Sequence, residues 1–444
     1  MMIKELPQNR YEALAGYTRQ PFLVLIVEEV GAYATDDERV IGVITHDLAD
    51  HDFGWVALAR DETARYRCVD VRASISSVEE ARDGVVAALR ELGAKPDEEF
   101  HQGDAKGPPV DSFVPLAPPE KMHESFKLLT SSAKYSCARE IIAAMMRYHV
   151  DVDGNFVRDF QSAGFDARFW ELYLFAVFSE LRYATDTAQN VPDFVWTSPF
   201  GRFGLEATTI NPPPGKTVQL PTDPEELIRY YENYVPIKFA RAMRKKLQRQ
   251  PRYWSLPHMS GLPFVIAVQD FHAPLSMQNI SFVLTEYLFG IRHRVENGAR
   301  IIERLTEHRC GELVEPSGFF SLPESENVSA VIANPQGTIT KFNRMGFLAG
   351  FGDQSLRMTR SGMRRSELEG TGAPIPFKQE VHEAGYEESW VEGMVVWHNP
   401  KAKIPLDPNL IPGAAHEFLQ TDGRIMTLLP PFHPVFSQTE IMTV

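Results

Sequence analysis

An α/β fold of the mixed α+β kind, with a mixed central sheet flanked by helices, is predicted by three observations. Helical and strand periodicities succeed one another as helix, strand, strand, helix, strand between residues 167 and 268. Phe264-Val265-Ile266-Ala267-Val268 is apolar without alternation, as a strand covered on both faces must be. A hydrophobic content of 43% over 444 residues supplies a substantial core, and typical domain sizes suggest about two or three units.

The elements follow in chain order. Arg39 to Thr45, Trp55 to Ala59 and Tyr66 to Arg72 are strand-like and separated by acidic turns. A helix from Val78 is announced by Ser77 and Glu80 at capping-box spacing, with Val78, Ala81, Val85, Leu89 and Leu92 as its apolar stripe. Residues 1–101 thus read as a small N-terminal α/β unit. The glycines and prolines gathered in 102–120 read as a linker, and 121–444 as the main core with a C-terminal extension. In that core a helix is expected over Met122 to Tyr148, and a second over Ala167 to Tyr183 with Asp166 as N-cap. The second is apolar nearly all round and should be buried, so Glu171 within it requires a partner. Asp193 to Thr197 and Arg202 to Ile210 read as a hairpin around Ser198-Pro199-Phe200-Gly201, followed by a long helix over Glu225 to Arg249. Val328 to Ala333 and Thr338 to Asn343 read as a second hairpin, and Met394 to Trp397 as the last strand.

A formal charge of −14 argues against a generic polyanion binder, though not against one basic groove. Cys68, Cys137 and Cys310 are far apart and form no CxxC pair, which favours a reducing compartment. No stretch approaches the ~20 apolar residues of a membrane span and the N-terminus lacks a signal-peptide core, so a cytoplasmic protein without membrane association is expected.

The chemistry-bearing pattern is Pro192-Asp193-Phe194 followed by Glu206-Ala207-Thr208 on the returning strand. Residues two apart in a strand share a face, so Glu206 and Thr208 point the same way. If Asp193 pairs near Glu206, the two carboxylates can share a divalent ion, with Glu171 arriving from the preceding helix. Read singly, Asp193 is equally an ordinary strand-entry residue and Glu206 a salt-bridged one. Glu171 has Arg168 or Arg182 as an alternative partner.

This arrangement resembles the PD-(D/E)XK nuclease superfamily, the restriction-endonuclease-like fold, over roughly residues 165 to 290. Pro192-Asp193 stands for the first motif element and Glu206-Ala207-Thr208 for the second. The resemblance implies a mixed sheet flanked by helices, Mg2+-dependent (or Mn2+-dependent) phosphodiester hydrolysis, ligation by Asp193 and Glu206, and Glu171 as the helical acid. Thr208 departs from it, standing where the family carries lysine. Lys238, Lys245 and Lys246 on the following helix are the candidate replacements, with Lys238 and Lys245 assigned the catalytic role, and Lys216 is a poorer one. With Arg241, Arg244, Lys246, Arg249 and Arg252, this helix is the densest basic cluster of the chain and the expected nucleic-acid track, for DNA rather than RNA. The alternative is a catalytically silent relative that binds nucleic acid or a protein. The N-terminal unit is the expected surface for a homodimer or protein partner.

Other constellations carry less. His308 and Cys310 suggest a thiol hydrolase only if they meet. Cys137 lies among Ala138, Ile141 and Ile142 and reads as core. Asp151-Val152-Asp153-Gly154-Asn155 has its glycine misplaced for a calcium loop. His46, Asp50, His51 and Asp52 are as much an acidic turn as a metal site. Phe319 and Phe342 read as packing residues, and Arg357, Arg360, Arg364 and Arg365 as a basic loop. Phosphate-loop and dinucleotide fingerprints are missing.

Overall fold

The N-terminal unit is built on the antiparallel sheet that its alternating strands require. In the computed structural model, which describes residues 2–104, 111–149, 154–213, 218–365 and 373–443, it runs in the order β1 (Ile3–Glu5), β2 (Val27–Thr35), β3 (Val40–Asp47), β4 (Phe53–Arg60) and β5 (Tyr66–Ile75). Helix α1 (Gln8–Ala15) follows β1, and α2 (Val78–Gly93) covers one sheet face through Ala81, Val85 and Leu89. The Ser77 hydroxyl accepts from the Glu80 amide, as the capping box predicts. The other face shares one apolar cluster with the rest of the chain, joining Val43, Leu58 and Tyr66 to Ile141 and Phe175.

The helix expected over 122–148 is broken. Ser132 is extended, and it divides α3 (Glu124–Ser131) from α4 (Ser136–Met146). After α5 (Phe156–Gln161) comes the buried helix α6 (Phe165–Glu180). It starts earlier than expected, with Gly164 rather than Asp166 at the N-cap.

The central sheet has eight strands. Its first members in the chain are β6 (Ala184–Thr185), β7 (Phe194–Ser198) and β8 (Gly201–Ile210). The long helix expected over 225–249 is present without a break from 224 to 247, as α7 (Pro224–Arg229) and α8 (Val235–Leu247). A π-helical turn at Tyr230–Tyr234 joins them. Strand β9 (Phe264–Asp270) is buried along its whole length and runs parallel to β8. Helix α9 (Ile280–Phe289) precedes two small hairpins, β10 (Ile291–Glu296) with β11 (Ala299–Arg304) and β12 (Glu307–Cys310) with β13 (Leu313–Pro316). Strand β14 (Ala330–Ala333) lies parallel to β9.

Thr338 to Asn343, expected as a strand, is instead the N-cap and first turns of α10 (Ile339–Leu348). A Cβ on Gly346 would lie 2.2 Å from the Cys137 carbonyl, so only glycine lets this helix pack so closely on α4. The basic stretch read as a loop is β15 (Arg357–Arg365), in a separate sheet with β16 (Ile375–Glu380) and β20 (His433–Met442). Strands β17 (Val395–His398), β18 (Ala415–Leu419) and β19 (Ile425–Leu428) complete the central sheet, in the order β19-β18-β17-β14-β9-β8-β7-β6.

Alternation along the central strands divides the core. Leu205, Ala207, Val265 and Ala267 face the α6 side, whereas Val195, Ile266 and Val268 face α8 and α9. Among the described residues no helix is long and apolar enough to cross a membrane.

Candidate functional site

Register brings the two motif acids together. Ser198 pairs with Gly201 at the tight turn and Phe194 with Leu205, so Asp193, just before β7, falls beside Glu206. The Ala207 amide donates to Asp193 Oδ2 at 2.8 Å, and the Asp193 amide points at Glu206 Oε2 at 3.3 Å. Glu206 is buried, with 6% of its surface exposed, while Asp193 is exposed at the rim. The pair therefore opens to solvent at one corner.

Alternation turns Glu206 away from α6 and toward α8. There Lys246 Nζ donates to Glu206 Oε1 at 2.6 Å. Lys246 follows Phe239 by seven residues and Met243 by three, both buried, so it borders the apolar stripe of α8 and its ammonium reaches the sheet. Glu171 approaches from α6. Its carboxylate is held by Arg168 Nη1 at 2.9 Å, and Arg168 also bonds Asp159.

The electrostatics show one coupled cluster. Asp193 sits among enough protein that desolvation, then the charges of Glu206 and Glu171, hold its carboxyl well above the usual aspartate range, against the pull of Lys246. Glu171 is also raised, by burial first and by Glu206, with Arg168 and Lys246 opposing. Burial and the Glu206 charge push the Tyr253 hydroxyl up as well.

The other predicted residues lie elsewhere. Lys238, expected to replace the motif lysine, has its ammonium 5.1 Å from the centre of the Tyr234 ring, and Lys245 projects into solvent. Neither bonds the acids. Lys246, named among the candidate replacements but assigned to nucleic-acid binding rather than catalysis, is the residue that does, because it lies about 100° round the helix from Lys245. Thr208 shares the Glu206 face and pairs with Val268.

The basic track is largely neutralised. Arg241 and Arg244 both bond Glu315, and Arg252 pairs with Glu324 at 2.6 Å. Arg249 donates to the Pro251 carbonyl. Lys216 and the Asp151–Asp153 portion of the calcium-like loop lie outside the described residues.

His308 does not meet Cys310. Its nitrogens contact the Glu232 carbonyl and the Ser317 hydroxyl, each at 2.9 Å. Cys137 is buried, with its thiol pushed up to about 11. Arg360 is buried against Glu388 and Glu392, so its segment is no solvated loop.

Sequence reasoning passed over a buried relay at the end of β9. The His272 ring contacts Asp270 Oδ1 and the Tyr230 hydroxyl, each at 2.5 Å, with Tyr230 supplied by the π turn. The Asp-x-His spacing was its only sequence signal.

Among the described residues no group of three or more His, Cys, Asp and Glu side chains is arranged to hold a metal ion. What converges is a pair of carboxylates, a third tied to arginine, and a lysine. Comparison with known proteins finds no family model, no curated protein and no solved structure that matches the chain.

Proposed function

We propose that this chain hydrolyses phosphodiester bonds in DNA with the help of a divalent ion, Mg2+ or Mn2+, which Asp193 and Glu206 would hold. The observation that carries the reading is the ammonium of Lys246 on Glu206, beside Asp193, which supplies from α8 the cation that Thr208 lacks. Burial first, and then the charges of the neighbouring carboxylates, raise Asp193 and Glu171 together, and a divalent cation would relieve the second of these. A two-carboxylate site suits Mg2+, which keeps several waters and is commonly held by one or two carboxylates plus substrate phosphate.

The ion's chemistry is to lower the pKa of a bound water and stabilise charge on the phosphoryl oxygens. The residues of the chain do the rest. Glu206 is fixed by Lys246 and by the Asp193 amide, and Asp193 is fixed by the Ala207 amide. Lys246 can exchange part of its bond to Glu206 for a phosphate oxygen or the attacking water. Glu171 stays with Arg168 and contributes charge at longer range. Because Asp193 must lose a proton before it ligates, activity should rise with pH through its raised range. The neutralised arginines of α8 leave Lys245 as an exposed contact for the DNA backbone.

The test is nicking of supercoiled plasmid and cleavage of single-stranded oligonucleotides under Mg2+ and Mn2+. The expected result is cleavage lost in Glu206→Gln and in Lys246→Met. Cleavage that survives Glu206→Gln contradicts the assignment. Intact DNA under both metals, with binding retained, identifies the silent relative.

A further inference from the structure

A cavity of about 1010 Å³ lies between the N-terminal sheet and the central one. Val43 of β3 and Val56 of β4 line one side, and Phe175 of α6 lines the other. Tyr17 joins them, its ring stacked on Phe175 and Tyr148 at 5.5 and 5.1 Å between centroids. Such a volume matches the upper end of small-molecule sites, where apolar and aromatic walls supply affinity and a few polar groups fix orientation.

Most charges on its lining are already met. Arg19 is paired with Glu12 and Glu29, Arg182 with Glu12, and Arg67 with Asp104. Glu28 stands 63% exposed and comes within 3.8 Å of His46. Arg65, in the turn between β4 and β5, differs from the other lining arginines. Its Nε donates to the Arg147 carbonyl at the C-terminal end of α4, and among the described residues its guanidinium has no carboxylate partner. Nη1 and Nη2 bond to no described residue, and neither is sealed off from solvent. A planar fork of free N–H groups beside an apolar cavity matches a carboxylate, which accepts two parallel charge-assisted bonds from it.

We infer that this cavity binds an amphiphilic monocarboxylate, its head on the Arg65 fork and its apolar body against Val43, Val56 and Phe175. The head carries a single charge because one guanidinium compensates one anion, and a second negative charge would stand uncompensated near Glu28 and Glu29. A neutral ligand would leave Arg65 without a counter-ion. Leu23 and Val24, from the segment Pro21–Leu25, add apolar wall, whereas their neighbours Phe22 and Ile26 are exposed and do not line the cavity. This inference stands apart from the acidic site.

The test is a fluorescence titration of the full chain with cis-parinaric acid and with its methyl ester, which keeps the apolar body and removes the charge. The acid should bind saturably at one per chain and about 10-fold or more tightly than the ester, which cannot make the charge-assisted bonds. In Arg65→Met the acid should fall to the affinity of the ester, with the ester unchanged. Val56→Trp, which fills the cavity from a half-buried position, should weaken both by about 10-fold or more. Phe22→Ser with Ile26→Ser should leave both unchanged, since these residues do not line the cavity. Absence of saturable binding overturns the inference, as does equal affinity for acid and ester in the parent, or a preference for the acid that survives Arg65→Met. Binding abolished by the Phe22 and Ile26 pair also overturns it, assigning the ligand to the surface segment. If Arg65→Met does not fold, the ratio of acid to ester affinity in the parent decides.

Discussion

Lys246→Met tests the geometry of the acidic site without requiring any activity. Removing one partner of a fully buried ion pair costs about 3–5 kcal/mol, whereas an exposed pair is worth under about 1 kcal/mol. The Glu206 side chain keeps 9% of its surface and Lys246 keeps 25%, so this pair lies between those limits. Glu206 also retains the Asp193 amide after the change, and solvent reaches it at the Asp193 corner. The expected loss is therefore about 2 kcal/mol. A double-mutant cycle with Glu206→Gln in urea unfolding, followed by tryptophan fluorescence, should give a coupling energy of about 1–2 kcal/mol. Lys245→Met, one position away and exposed, should stay within about 0.5 kcal/mol of the parent. A coupling below about 0.5 kcal/mol, or equal effects at positions 245 and 246, would refute the placement of Lys246 on Glu206.

Further outcomes concern the site and the core. Because Thr208 shares the Glu206 face, Thr208→Lys should restore part of the cleavage lost in Lys246→Met, and no recovery in plasmid nicking would count against an interchangeable ammonium. Arg344 forms a bidentate pair with Glu388, both essentially unexposed, so Arg344→Met should cost about 3–5 kcal/mol in chemical denaturation; a loss under 1 kcal/mol would show the pair is not buried in solution. Burial raises Glu180 to about 7, so the folded chain holds its proton more tightly than the unfolded one. Stability from this group is fullest below about 4.5 and is lost as pH rises toward 7, on the order of 3 kcal/mol in all, and Glu180→Gln should remove that slope. Burial and His416 lower His398 to about 3, which gives the opposite sign. Its contribution is present above about 6.5 and declines as pH falls from there toward 3, so His398→Gln should flatten acid unfolding in that window.

Much of the site was legible because a short hairpin has little freedom. Ser198-Pro199-Phe200-Gly201 fixes the turn, the turn fixes the register, and the register sets Asp193 beside Glu206. The choice among lysines failed because basic residues on one face were grouped by spacing alone. Reading α8 from its apolar stripe instead, through Phe239 and Met243, singles out Lys246. The π turn at 230–234 left no clear sequence mark, and neither did the tertiary contacts that seat Tyr230 on His272.

The last third was hardest for a related reason. Asn334-Pro335-Gln336-Gly337 has hairpin chemistry, yet the segment after it becomes α10. Thr338 precedes its first turn, and Phe342 buries itself among Phe169, Tyr173 and Trp390. Strand β20 finds its partner β15 some seventy residues earlier, so local pattern could not announce that pairing, whereas β18 and β19 form a local hairpin that sequence reasoning passed over. The α/β class itself was carried by β9, whose continuous apolar run admits no other role than a strand covered on both faces.

The most direct test of the central claim is Mn2+ binding by electron paramagnetic resonance on the full chain at pH 7.5. The account predicts one bound ion per chain, lost in both Asp193→Asn and Glu206→Gln. An ion that binds equally well in both variants, or none in the parent, would contradict it.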